Sequence, residues 1–175
     1  LVRQLQERTV SREYVAMVWG QPVSNGKVEA AIGRHPRERT KMAVSTLPTA
    51  RPAVTHYQKL AKGKFEGRPV ALLLCKLETG RTHQIRVHMK HIGHTLFGDF
   101  EYGGDKVLKG TTFTKYKQFV QNCLELLPRQ ALHARTLSFT HPTTGEWMSF
   151  ESNLPDDIQA VLDKWENYSE NSMKG

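Results

Sequence analysis

Cysteine is nearly absent: the 175 residues hold two, Cys75 and Cys123. They stand far apart, and Cys75 falls in the apolar run Val70-Ala71-Leu72-Leu73-Leu74-Cys75, which reads as buried. Neither a disulfide scaffold nor a cysteine zinc site is indicated. Long hydrophobic runs are also missing, and none approaches the ~20 residues of a membrane-spanning helix. No charged-then-apolar leader opens the sequence, and Leu1 stands where a methionine would. The expectation is a piece of a longer, cytoplasmic protein with no membrane partner.

Negative charge is scarce outside one end. The chain carries 25 Lys+Arg against 17 Asp+Glu, a formal net of +8. Residues 151–175 hold 6 acidic and 2 basic side chains, so the first 150 carry 23 basic and 11 acidic. A basic body concentrates polyanions near its surface, and nucleic acid is the commonest of these; the alternative is a protein that is merely basic. Hydrophobic residues make up 38% and run from end to end, enough for one core and against wholesale disorder.

Residues 1–8 read as the tail of a helix. The β-formers of 12–20, closed by Gly20, Pro22 and Ser24-Asn25-Gly26, read as a strand. Short strands are expected at 27–32 and 42–45, and strands at 53–62 and 69–78 joined by a hairpin loop. Ile85, His88, Met89 and Ile92 then fall at helical spacing, with Gly93 placed to end the helix. A second helix is expected at 114–127, a strand pair at 131–140 and 146–151, and a last helix at 155–166 with Asp156 and Asp157 at its positive end. Residues 1–166 are read as one domain portion and 167–175 as a polar tail. The fold class is α+β, a mixed, mainly antiparallel sheet with packed helices.

The richest segment is Glu78-Thr79-Gly80-Arg81-Thr82-His83-Gln84-Ile85-Arg86-Val87-His88-Met89. A glycine turn, helix-N-terminal amides and two arginines share a small volume there, which suits a phosphate or a carboxylate. His83, His88 and His91 suggest a metal, but five residues separate the first two and no helix face joins them, so no metal site is assigned.

The ordered stretches Arg12-Glu13-Tyr14-Val15-Ala16, Thr79 through Met89, Gly98-Asp99 with Tyr102-Gly103, and Arg129-Gln130-Ala131-Leu132-His133-Ala134 resemble the RluA-type RNA pseudouridine synthases. Arg34-His35-Pro36, Lys41-Met42-Ala43-Val44 and Ala53-Val54-Thr55-His56-Tyr57 are most similar to the RluD-like, ribosomal-RNA branch. The resemblance covers about residues 1–155. It implies isomerisation of uridine to pseudouridine in structured RNA without a cofactor.

Carried over residue by residue, the resemblance makes Tyr14 the ring that stacks on the target uracil and Arg86 the cation that orients a catalytic aspartate. Ile85 and Leu132 would line the base pocket. Arg34, Arg37, Arg39 and Lys41 would hold RNA phosphates, and Arg81 and His83, near the same pocket, would bind RNA as well, the alternative for these two being to hold the turn. The bland alternatives are a core tyrosine, a surface helix arginine, ordinary core residues and a solvated loop. The family's nucleophilic aspartate, in a His-Arg-Leu-Asp segment, has no counterpart among the five aspartates here, Asp99, Asp105, Asp156, Asp157 and Asp163. Asp99 is read as a turn or helix-end contact. The expectation is therefore the C-terminal portion of a synthase catalytic domain, inactive alone, with association possible through an exposed face. Two rivals are carried: a catalytically silent RNA-binding module of the same fold, and a His-dependent metal hydrolase.

Overall fold

Along the strand Ser11–Trp19 (β1), Val15, Met17 and Trp19 alternate with Ala16 and Val18, and all five are buried. Such a strand must lie between two apolar layers. The computed structural model describes residue 3 and residues 10–168. In it β1 sits inside a six-stranded sheet of order β2-β5-β6-β1-β7-β8, formed with Asn25–Glu29 (β2), Val54–Leu60 (β5), Val70–Leu77 (β6), Leu132–Thr140 (β7) and Trp147–Glu151 (β8). Every ladder among the described strands runs antiparallel.

The two faces of β1 and β6 carry separate cores. Val15, Met17, Trp19, Leu72 and Leu74 pack under two helices, Thr114–Leu126 (α3) and Asp156–Glu166 (α4), through Tyr116, Val120, Val161 and Trp165. Ala16, Val18, Leu73 and Cys75 pack against Ile85 and Met89 of the helix Gln84–His91 (α2). One short helix, Lys62–Phe65 (α1), fills the β5–β6 connection and buries Phe65. None of the helices among the described residues is long and apolar enough to cross a membrane.

The strand expected at 27–32 is two strands in two sheets. After Glu29 the chain turns toward segment 51–53, where Ala30 and Ile32 donate backbone bonds to Ala53 and Arg51. Ile32–Arg34 (β3) then pairs with Met42–Val44 (β4) as a separate ribbon. Ala30-Ala31 carries no glycine or proline to announce that departure. The helix expected over 1–8 lies outside the described residues, apart from residue 3, as do residues 169–175. The core runs past 166: Tyr168 is buried and its ring stacks on Phe119 at 4.0 Å.

Candidate active-site cleft

Helix α2 is aimed by a buried polar chain whose proton directions can be assigned throughout. The Val54 N–H donates to Thr79 Oγ1, and the Thr79 hydroxyl donates to Gln84 Oε1 at 2.7 Å. Gln84 Oε1 also accepts from the Arg81 backbone N–H, while Gln84 Nε2 donates to the Val54 carbonyl and to Thr55 Oγ1. Thr55 Oγ1 lies 2.7 Å from His88 Nδ1, and His88 Nε2 lies 2.8 Å from the Ala30 carbonyl. A carbonyl can only accept, so His88 Nε2 carries the proton and Nδ1 accepts from Thr55. The chain thus ties the start of α2 to β5 and to the end of β2. Upstream, Gly80 passes so close beneath Arg12 that a Cβ there would lie 2.5 Å from Arg12 Nη1.

Arg86, one turn into α2, is 5% exposed and held from three sides. Asp99, fully buried, accepts from Arg86 Nε and Nη2 at 2.8 Å each, a two-pronged carboxylate clasp. Glu101 accepts from Nη2 at 2.9 Å, and the Tyr102 ring lies 4.9 Å from the guanidinium carbon. Burial alone would lower the Arg86 pKa, but the two carboxylates override it and raise it. The same bond to Arg86 holds the Glu101 carboxyl below its ordinary value. Nη1 has no partner among the described residues.

Asp99 is therefore not merely a turn or helix-end residue, as its sequence setting suggested. Its backbone does close the tight 96–104 loop, donating to Leu96 and accepting from Gly104. Its side chain is the main counter-ion of Arg86. A buried arginine requires such a partner. The signal available in sequence was two acids, Asp99 and Glu101, in an otherwise basic body just past α2.

One cleft of about 330 Å³ collects Tyr14, Leu77, Arg81, His83, Gln84, Ile85, Arg86, Gln130 and Leu132. Six of these nine carry site assignments above: Tyr14, Arg81, His83, Ile85, Arg86 and Leu132. Leu77, Gln84 and Gln130 were not singled out. Among the described residues, none that lines the cleft is a carboxylate. Arg81 Nε donates to the Pro52 carbonyl and so braces the turn. His83, in left-handed backbone at φ 55°, places Nδ1 2.7 Å from the Tyr102 hydroxyl. Tyr102 Oη also accepts from the Met42 N–H at 3.0 Å. Burial and neighbouring Arg86 keep the His83 pKa low.

Arg34, at the end of β3, and Arg37, Arg39 and Lys41, on the connection between β3 and β4, lie outside the cleft. The three arginines are exposed, and Lys41 pairs with Glu38 at 2.6 Å. His35 folds this loop by accepting the Arg37 and Glu38 backbone N–H groups at Nδ1. The bond from Met42 to Tyr102 links the loop to the cleft. His83, His88 and His91 go separate ways, and among the described residues no cluster of His, Cys, Asp and Glu could hold a metal.

Burial pushes the pKa of His88 down, with smaller opposed contributions from Ala30 and His91. A histidine held neutral in the fold but free to protonate when unfolded gives stability that is present at pH 7. It is lost as pH falls below the unfolded value near 6.5. Urea midpoints should therefore decline from pH 7 to 5, and His88→Gln should flatten that decline. His83 contributes in the same direction, so some slope should remain. An unchanged slope in His88→Gln would show that the Thr55–His88 link does not carry the effect.

The sequence and the fold match known proteins. Residues 1–91 match the family model described as RNA pseudouridylate synthase. The chain belongs to this family. The ribosomal large subunit pseudouridine synthase D of Nitrosomonas europaea is 46% identical over 173 residues, covering 99% of this chain and 46% of the relative. The protein of the same name from Neisseria meningitidis serogroup A is 48% identical over 162 residues, covering 93% and 40%. The chain thus spans about half the length of the curated relatives it matches. Among solved structures, human RNA pseudouridylate synthase domain containing 1 superposes with a TM-score of 0.64 at 28% identity, covering 94% of this chain and 62% of that one.

Proposed function

We propose that this chain supplies the uracil-holding side of a synthase that converts uridine to pseudouridine in large-subunit ribosomal RNA, in the cytoplasm and without a cofactor. The observation that carries the reading is Arg86: clasped by Asp99 and Glu101, it keeps Nη1 without a partner among the described residues and lines one cleft with Tyr14, Ile85 and Leu132. That geometry suits a cation fixed in advance for one further carboxylate, which residues outside this chain contribute. The carboxylate adds to the ribosyl–uracil unit, the N1–C1′ bond breaks, and the base turns and rejoins through C5 as the carboxylate leaves. N1 gains a proton and C5 loses one, so the product is an isomer. Tyr14 stacks on the extruded base and assists the C5 proton, while Ile85 and Leu132 wall the pocket. Arg34, Arg37, Arg39 and Lys41 hold phosphates. Arg81 and His83 keep the turn in place.

The remainder of the domain has a place to pack on the half-exposed face of β7 and β8, where Leu137 pairs with Phe150 and Phe139 with Met148. Left uncovered, this face favours association. Joining the chain to the part of the Nitrosomonas europaea relative that it does not match tests the reading. The chimera should form pseudouridine on large-subunit ribosomal RNA transcripts, whereas the chain alone should form none. Arg86→Ala in the chimera should depress turnover more than RNA affinity. A chimera that binds RNA tightly and forms no pseudouridine would favour a silent RNA-binding module instead.

A further inference from the structure

A second concavity, about 310 Å³, lies between the β3–β4 ribbon and α2 and is lined by Tyr102, which contacts Arg86 and His83 of the cleft. Met42, Val44, Val87 and Tyr102 give it an apolar floor, and Met42 and Val44 are only half-buried, so that floor remains reachable. Its rim carries Lys41, Lys90, His35 and His91 against a single acid, Glu38, already bonded to Lys41. Lys90 and His91 are exposed, and their side chains make no hydrogen bond or ion pair among the described residues. His35 has its Nδ1 occupied by two backbone N–H groups, so it can offer only a donor, from Nε2. Lys90, His91 and the His35 Nε2–H can each donate a hydrogen bond into the groove. An apolar floor under such a rim fits a base attached to a phosphate.

We propose that this groove is a second nucleotide subsite, which takes a nucleotide flanking the target uridine on the same RNA strand. The inference rests on the reading that the Tyr14–Arg86 cleft receives that uridine. Tyr102 lines the groove and touches the cleft's residues: its ring lies 4.9 Å from the Arg86 guanidinium carbon and 5.9 Å from Lys90 Nζ. Its hydroxyl joins His83 in the cleft to Met42 in the groove. The ribbon could not shift without disturbing the residue that borders Arg86.

The test titrates the chain with uridine 5′-monophosphate, with a five-nucleotide single-stranded RNA centred on uridine, and with inorganic phosphate, all at fixed ionic strength. The readouts are the imidazole resonances of His83 for the cleft and His91 for the groove, together with dissociation constants. The pentanucleotide should move both histidines and the mononucleotide chiefly His83. The double variant Lys90→Ala/His91→Ala, on exposed positions, should weaken the pentanucleotide about tenfold and leave the mononucleotide unchanged. A pentanucleotide that moves His83 alone, or binds the variant as well as the parent, overturns the groove assignment and leaves the cleft reading standing. Inorganic phosphate that moves His91 as far as the RNA does overturns it too, in favour of a small-anion site. If neither histidine answers to the RNA, both readings fall together.

Discussion

Replacing Asp99 with alanine is expected to destabilise the chain by about 3–5 kcal/mol, the range for removing one partner of a buried ion pair. Asp99 is fully buried and takes two of the donor nitrogens of Arg86 at 2.8 Å. Without it, the guanidinium stays charged, because arginine does not give up its proton in a protein. Glu101 then remains as the counter-ion, on one nitrogen and with a side chain 29% exposed to screening solvent. Since Arg86 holds the Glu101 carboxyl below its ordinary value, that residual support is present above the unfolded pKa near 4.3 and lost as pH falls through the lowered folded value. In the Asp99→Ala protein the Glu101 support should therefore be lost only below about pH 4, on top of the decline between pH 7 and 5 that His88 and His83 give. Urea unfolding of Asp99→Ala, Arg86→Met and the double variant checks the cause. The double variant should be more stable than Asp99→Ala, because it removes the stranded charge. If Asp99→Ala unfolds as the parent does, the clasp is not what holds Arg86 in place.

The pair also shows where sequence reasoning stops. The strands were legible because runs such as 12–20 and 69–78 are dense in β-formers and bounded by turn residues, and α2 because Ile85, His88, Met89 and Ile92 repeat at helical spacing. Periodicity reports which side of an element is buried, and it is silent on which polar groups meet across a loop. Arg86 and Asp99 stand 13 positions apart with a helix end and a tight loop between them, so their contact left no pattern. The parting of β2 from β3 was illegible for a related reason. Ala30-Ala31 is compatible with a continuing strand, and only the backbone bonds to Arg51 and Ala53 divert it. Tyr14, Ile85, Arg86 and Leu132 converge because β1 pairs with β7 in a register that places Ala16 against Leu132, with α2 packed on that face. That convergence came from ordered motifs taken together, whereas no single motif contained it.

Gly104→Ala should cost about 3 kcal/mol or more, although it adds one methyl group and Gly104 needs no left-handed backbone. The penalty comes from position. A Cβ on Gly104 would collide with the Leu96 carbonyl oxygen and lie 3.1 Å from the Leu96 carbonyl carbon and from Thr95 Cγ2. Backbone cannot rotate away as a side chain can. The displaced residue also closes the loop: its N–H donates to the Asp99 carbonyl at 2.7 Å, and its carbonyl accepts from Gly98 and from the buried indole of Trp19 at 2.9 Å each. That loop carries Asp99, Glu101 and Tyr102, the three residues around the Arg86 guanidinium, so opening it should loosen the whole cleft. Gly145→Ala is the comparison. Gly145 sits at φ 73° with nothing near a built Cβ, so its penalty is only the left-handed strain of about 1–2 kcal/mol. Thermal or urea unfolding of the two variants should rank Gly104→Ala as clearly the weaker fold, with the imidazole signal of His83 shifted in Gly104→Ala alone. Equal destabilisation, or an undisturbed His83 in Gly104→Ala, would mean that the 96–104 loop does not set the geometry at Arg86.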